Sequence, residues 1–139
     1  MATEGILDAS VIVSLVVPEE FSEWSESTVN RYKYLGTLEL AYYEAVNALR
    51  NKVIQRELTE NNADKALKEI LEVIGSLDIH PTQSISQSSL ALALECNIFA
   101  YDAAYLSLAK NLNSKLITLD TKFASKLKGT KYYGLLEHP

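Results

Sequence analysis

The chain has 139 residues, the length of about one domain. Hydrophobic residues make up 47% and charged residues 22%, a globular composition that excludes a disordered chain. Cys96 is the only cysteine, which excludes an internal disulfide framework and a zinc ribbon. The longest apolar run, Val11–Val17, is broken by Ser14 and falls far short of the ~20 residues that span a bilayer. No basic residue precedes it, as a signal peptide requires. A single domain over residues 1–139, cytoplasmic and without a membrane partner, is the expectation. Thirteen basic against eighteen acidic residues give a net charge of −5, which excludes polyanion binding by the whole surface but not by a local patch. The charge is uneven. Between residues 57 and 78 six acids stand against Lys65 and Lys68, whereas Lys110, Lys115, Lys122, Lys126, Lys128 and Lys131 face Asp120 alone. An anionic ligand is expected toward the C-terminal third.

In chain order the pattern is α/β alternation. Gly5–Leu7 reads as a short apolar strand ending at Asp8. Turn chemistry at Asp8–Ser10 starts a helix through Val17. Pro18 opens a second helix, Glu19 to about Tyr32, with acids in its first turn. Leu35–Leu38 is a second strand. Glu39–Glu57 is a helix with apolar Ala41, Ala45, Val46, Ala48, Leu49, Val53 and Ile54. Thr59 caps the next helix, which runs to about Ile74 and ends at Gly75. Leu77–His80 is a third strand closed by Pro81. In Ser84–Glu95 the leucines at 90, 92 and 94 alternate like a strand, but the alanines between them favour helix. Asp102–Leu112 is a helix with Asp102 as its N-cap. Leu116–Leu119 is a fourth strand ending at Asp120, and Thr121–Leu127 is a short helix. Gly129 and Lys131–Tyr133 suggest a turn and a last edge strand. Helices between short buried strands predict a mostly parallel sheet covered on both faces.

Ligands of open parallel sheets bind beyond the C-terminal ends of the strands. Asp8 and Asp120 end strands there, and Asp102 opens a helix. Glu44 lies among Ala41, Ala45 and Ala48, small residues that let the helix approach the sheet, so its side chain is expected to face inward, with Asn47 and Asn51 extending a polar stripe. Each acid also has a plain structural explanation. Asp8 and Asp102 serve as helix caps, Asp120 as a turn residue and Glu44 as half of an ion pair. Taken together they say more. Two unit charges ~4 Å apart cost roughly 4 kcal/mol at an effective dielectric of ~20, so four acids in one cleft call for a cation. Oxygen ligands without Cys or a suitable His favour Mg²⁺ or Mn²⁺, and a carboxylate-held Mg²⁺ serves phosphate chemistry.

The segments Ile6-Leu7-Asp8-Ala9-Ser10, Glu44-Ala45-Val46-Asn47-Ala48-Leu49, Tyr101-Asp102-Ala103-Ala104-Tyr105-Leu106 and Leu116-Ile117-Thr118-Leu119-Asp120 with Phe123 carry a resemblance. In their order and spacing the chain resembles the PIN-domain ribonucleases, most closely the VapC-type toxins of toxin–antitoxin pairs. The resemblance covers nearly the whole chain. It implies a three-layer α/β/α sandwich with a mostly parallel sheet of about five strands, and a Mg²⁺- or Mn²⁺-dependent endoribonuclease that hydrolyses RNA with metal-activated water. By that match Asp8, Glu44, Asp102 and Asp120 are the catalytic metal-site residues, with Asp8 and Asp102 as the central ligands. Ser10 matches a small hydroxyl residue that holds water or phosphate, and Asn47 matches a frequent polar neighbour of the Glu.

Lys122 and Lys126, just after Asp120, are candidates to hold RNA phosphates, or are simply solvated helix lysines. Tyr101 and Tyr105 stack on bases or pack in the core. His80 and His138 stand isolated and receive no role. The early helices (Val11, Ile12, Leu15, Val16, Val17, Phe21, Trp24) and the third and fourth (Tyr42, Tyr43, Val53, Ile54, Leu58) carry more apolar surface than one short sheet obviously covers, leaving room for a small antitoxin protein or a homodimer interface. The competing function is a PIN-fold binding or assembly module in RNA metabolism without significant turnover. A phospho-receiver domain and a haloacid-dehalogenase-type phosphatase fit less well, since Asp8-Ala9-Ser10 is not an Asp-x-Asp.

Overall fold

A computed structural model describes residues 4–139. Five strands form one parallel sheet in the order β3-β2-β1-β4-β5: β1 is Glu4–Leu7, β2 Tyr34–Leu38, β3 Asp78–His80, β4 Lys115–Ile117 and β5 Leu136–Glu137. The chain moves outward from β1 to β2 and β3, then returns to the other side of β1 for β4 and β5. Right-handed crossovers that run in opposite directions lie on opposite faces of a sheet. The helices α1 (Ala9–Val16), α2 (Ser22–Val29), α3 (Ala41–Ile54) and α4 (Glu60–Gly75) pack on one another as one layer, and α5 (Ser86–Cys96) with α6 (Ala100–Asn111) make the other. The short helix α7 (Thr121–Leu127) links β4 to β5. This is the three-layer α/β/α arrangement. Its topological switch point, where the strand order reverses, lies between β1 and β4.

The core sits between the layers. Ile6, Leu7, Leu116 and Ile117 on the central strands are fully buried, with Val11 and Ile12 of α1, Ile70 and Ile74 of α4, and Leu106 of α6 against them. Fully burying each such side chain is worth roughly 1.5–3 kcal/mol. Val11, Ile12 and Val17 are therefore core. Gly36 sits at a close approach of neighbouring strands. A Cβ there would sit 3.1 Å from the Asp78 carbonyl oxygen and 3.4 Å from the His80 Nε2.

Several boundaries differ from those the sequence suggests. Helix α2 begins at Ser22 and not at Glu19, because the Ser22 hydroxyl takes the Glu19 N–H at 2.8 Å and holds residues 18–21 in a turn. Helix α6 begins two residues before Asp102, with Phe99 in the extended conformation of an N-cap; Asp102 is a first-turn residue and caps nothing. Gly75 is the last residue of α4, and the cap after it, Ser76, is right-handed, so the helix does not stop by a left-handed glycine. Residues 131–133 form no strand; a 3₁₀ turn at Tyr133–Leu135 leads into β5. The ambiguous leucine segment is helix α5, with Leu92 buried and Leu90 and Leu94 exposed. By contrast, α7 spans Thr121–Leu127 as the sequence predicts, capped by Asp120. Among the described residues, no helix is long and apolar enough to cross a membrane.

Candidate metal centre

Asp8 follows β1 directly and is buried at the switch point. Its carboxylate caps α1. Oδ1 accepts the Val11 N–H at 3.2 Å and the Ser10 hydroxyl at 2.5 Å. Ser10 Oγ in turn accepts the Leu119 N–H at 3.0 Å, which ties the segment after β4 to the first acid. Capping and site membership are therefore not alternatives for Asp8; the cap fixes the carboxylate's position. Burial pushes its pKa up, against the pull of hydrogen bonds from Ser10, Thr118 and Val11, and the charge of Asp120 adds to the rise.

Asp120 caps α7 in the same way, with Oδ1 accepting the Phe123 N–H at 3.0 Å. Its own N–H donates to the hydroxyl of Thr118 at 3.0 Å. Thr118 is fully buried and stands between Asp8 and Asp120 in these contacts. Its role is not legible from a lone threonine in an apolar strand.

Glu44 projects from α3 beside the buried Ala41, Ala45 and Leu49 stripe. It is half-buried, and its partner is not a lysine or arginine but the hydroxyl of Tyr105, which donates to Oε1 at 2.7 Å. Burial raises its pKa first, and the charge of Asp8 adds to that, while the Tyr105 hydrogen bond works against both. Tyr105 is 2% exposed, so it is a core residue that positions Glu44, whereas Tyr101, one turn earlier, is 61% exposed. The Tyr105 phenol is itself held well above its usual range by burial and by Glu44.

Asp102 completes the group. Among the described residues its side chain makes no hydrogen bond and no ion pair. Burial raises its pKa to about 7, and the charges of Asp120, Asp8 and Glu44, in that order, push the same way; Lys126 opposes them weakly. The structure thus brings all four acids into one electrostatic field. Ser10 touches it through Asp8, Lys126 acts on Asp102, and Asn47 lies one helical turn beyond Glu44, exposed. Lys126 also hydrogen-bonds the Asn97 carbonyl at 3.4 Å. Lys122 is exposed on α7.

The donor set fits a hard divalent cation. It is all carboxylate oxygen, gathered at the switch point, with no salt bridge to any of the four among the described residues. The spacing is open. The trio of His and acid side chains whose donor atoms all close to within 4.8 Å lies elsewhere, at Glu4, Asp78 and His80. An open set suits Mg²⁺, which keeps several waters and takes one or two carboxylates directly. His80 is thus not isolated, as the sequence suggested, but lies 3.3 Å from Asp78.

A parallel α/β/α sandwich with an uncompensated acidic centre at its switch point defines a class of site built for a divalent cation and a phosphate. The PIN domain model matches residues 5–127. The chain belongs to the PIN domain family. Ribonuclease VapC3 of Pyrobaculum aerophilum is 40% identical over 121 residues, 87% of this chain and 92% of that protein. Exonuclease VapC9 of the same organism is 28% identical over 129 residues, 93% of this chain and 90% of that protein. Among solved structures, PAE2754 from Pyrobaculum aerophilum superposes with a TM-score of 0.66 at 27% identity, over 97% of this chain and 90% of that one. A toxin–antitoxin complex from Klebsiella pneumoniae gives a TM-score of 0.67 at 16% identity, over 96% and 95%, a likeness of fold.

Proposed function

We propose that this chain is a divalent-metal-dependent endoribonuclease and the toxin of a VapBC-type toxin–antitoxin pair. The observation that carries the reading is Asp102, a carboxylate without a partner in the field of Asp8, Glu44 and Asp120. The ribonuclease name of the 40%-identical relative points to RNA as the polymer cleaved. Asp8 and Asp102 are the central ligands in this proposal, with Glu44 and Asp120 completing the set for Mg²⁺ or Mn²⁺. A cation held there lowers the pKa of water and offsets charge on the scissile phosphate. The chain's own residues do the positioning. Ser10 and the α1 backbone fix Asp8, Tyr105 fixes Glu44, and the α7 backbone fixes Asp120. Lys122 and Lys126 hold RNA phosphates beside the acids, and Ser10 and Asn47 line the approach. An antitoxin segment is proposed for the apolar groove of about 370 Å³ between α3 and α4, lined by Val46, Val53, Ile54 and Leu67. A cytoplasmic homodimer is the proposed free form. Induced expression in a bacterium tests the reading. Growth arrest with new RNA ends is expected, relieved by Asp102→Asn and by co-expression of a small neighbour-encoded partner. Arrest that persists with Asp102→Asn would count against the metal centre as its cause.

A further inference from the structure

Beside the acids lies a cleft of about 440 Å³ that the metal centre does not use. Glu44 forms its boundary with the metal centre. On one side, Tyr43, Asn47 and Asn51 follow one another at helical spacing along a single face of α3. On the other, Tyr101 stands in the first turn of α6, next to Asp102 in sequence. Tyr43 is 79% exposed and Tyr101 61% exposed. Among the described residues neither hydroxyl makes a hydrogen bond, and the Asn47 amide makes none either. Two exposed aromatic rings lining one cleft mark a place where a flat ligand can stack.

From this juxtaposition we infer that the cleft is a base-recognition subsite, which takes one unpaired nucleobase of the RNA between Tyr43 and Tyr101 and reads it with the Asn47 amide. The inference rests on the nuclease reading for its substrate class. The chemistry is specific to single strands. Proteins read unpaired RNA by stacking splayed bases on aromatic rings and bonding their edges. Bases in a duplex are already stacked on their neighbours and cannot enter. The amide offers an acceptor beside a donor, the complement of an adjacent N–H₂ and ring nitrogen, an edge that adenine and cytosine both present when unpaired. Of the two, adenine has the larger face to stack on the tyrosine rings and is the expected occupant. Glu44 then has two neighbours with different tasks. Tyr105 holds it from the core, while the cleft sets which phosphate reaches the acids. Tyr43 and Tyr101 are specificity determinants, not catalytic residues.

The test uses binding and cleavage separately. Labelled oligo(A) and oligo(U) are titrated against Asp8→Asn, with anisotropy as the readout. Oligo(A) is expected to bind more tightly, and Tyr43→Ala or Tyr101→Ala in the same background to weaken it about tenfold, the scale of one stacked base. Asn47→Asp, which cannot donate, is expected to remove the preference for oligo(A). Equal affinities across these variants would overturn the inference. With active protein, sequencing of product ends from a random single-stranded RNA pool is expected to show adenine at one fixed position from the cut. The tyrosine variants are expected to raise KM and leave kcat nearly unchanged. An unchanged end profile in all three variants would overturn the inference while leaving the nuclease intact. Loss of cleavage with the binding pattern intact would sink the nuclease reading and keep the cleft. A shift in oligomeric state for Tyr43→Ala, with unaltered RNA affinity, would assign the cleft to a second copy of the chain and overturn the base subsite.

Discussion

Two clusters of acidic side chains lie around this one sheet, and their surroundings differ. Glu4, Asp78 and His80 have their donor atoms closest together. Glu4 begins β1 and Asp78 begins β3, away from the switch point, and Asp78 is 66% exposed. In this group the His80 Nε2 lies 3.3 Å from Asp78, and Glu4 accepts the Ser114 hydroxyl at 3.0 Å. Asp8, Glu44, Asp102 and Asp120 are more widely spaced but more deeply set, and no lysine, arginine or histidine forms a salt bridge with them among the described residues. Proximity of donor atoms and burial of charge thus point to different places on the molecule. The proposed centre follows the charge: negative charge that is buried, convergent and unpaired calls for an external cation.

The comparison can be broken or sharpened by substitution. The largest effect is expected from Asp8→Asn, which keeps the cap geometry but removes the charge. RNA cleavage should fall by about a hundredfold or more, the scale for losing a group acting on developing charge, and the stabilisation by added Mn²⁺ seen in a thermal melt should shrink. An equal metal shift in the variant would remove Asp8 from the ligand set.

A pH series on metal-free protein probes the same charge without substrate. Asp102 has a folded pKa of about 7, above its ordinary value of 3.8. Between those values the folded state holds a proton that the unfolded chain has lost, so stability should fall as pH rises through that window and level off above it. A divalent cation should reverse the trend, since it competes with the proton. Asp102→Asn should flatten the metal-free curve. A curve that climbs through this window in the wild type, and is unaltered by the substitution, would contradict the repulsion.

Smaller changes are expected from the residues that hold the acids. Tyr105→Phe removes the hydrogen bond to Glu44 but keeps the ring in the core. Cleavage should drop about tenfold, with a stability loss of about 1 kcal/mol in denaturant titration. Ser10→Ala releases both Asp8 and the Leu119 N–H, and a several-fold loss of activity is expected. The smallest effect belongs to the other cluster. Asp78→Asn should change stability by no more than about 0.5 kcal/mol, as exposed substitutions do, and leave the metal-induced shift intact. A vanished shift in Asp78→Asn would move the metal to β1 and β3.

How far the sequence shows this centre follows from what fixes each acid. Asp8 follows β1 directly, Asp120 follows β4 after Thr118 and Leu119, and each caps a helix, a local pattern; α7 accordingly spans the expected residues. Asp102 is less legible. A carboxylate at a helix start reads as a cap, yet the extended backbone at Phe99 places the true start earlier and frees Asp102 to face the other acids. The partner of Glu44 is hidden altogether, because Tyr105 lies 61 residues away and reaches it only through the fold. The two tyrosines of the α6 segment look alike in sequence. Depth in the packed layer separates the buried one from the exposed one, and helical spacing does not encode that depth. Ser10 shows the reverse case. The sequence match marks its hydroxyl as functional, and the structure adds contacts to Asp8 and to the Leu119 N–H that no local pattern announces.

The most direct measurement is cleavage of a labelled single-stranded RNA by purified protein with Mg²⁺, Mn²⁺ or EDTA, with Asp102→Asn purified identically. Metal-dependent cleavage by the wild type, abolished by EDTA and reduced at least about a hundredfold in Asp102→Asn, is the predicted result. Cleavage that survives EDTA, or that Asp102→Asn performs as well as the wild type, would contradict a metal centre built on these four acids.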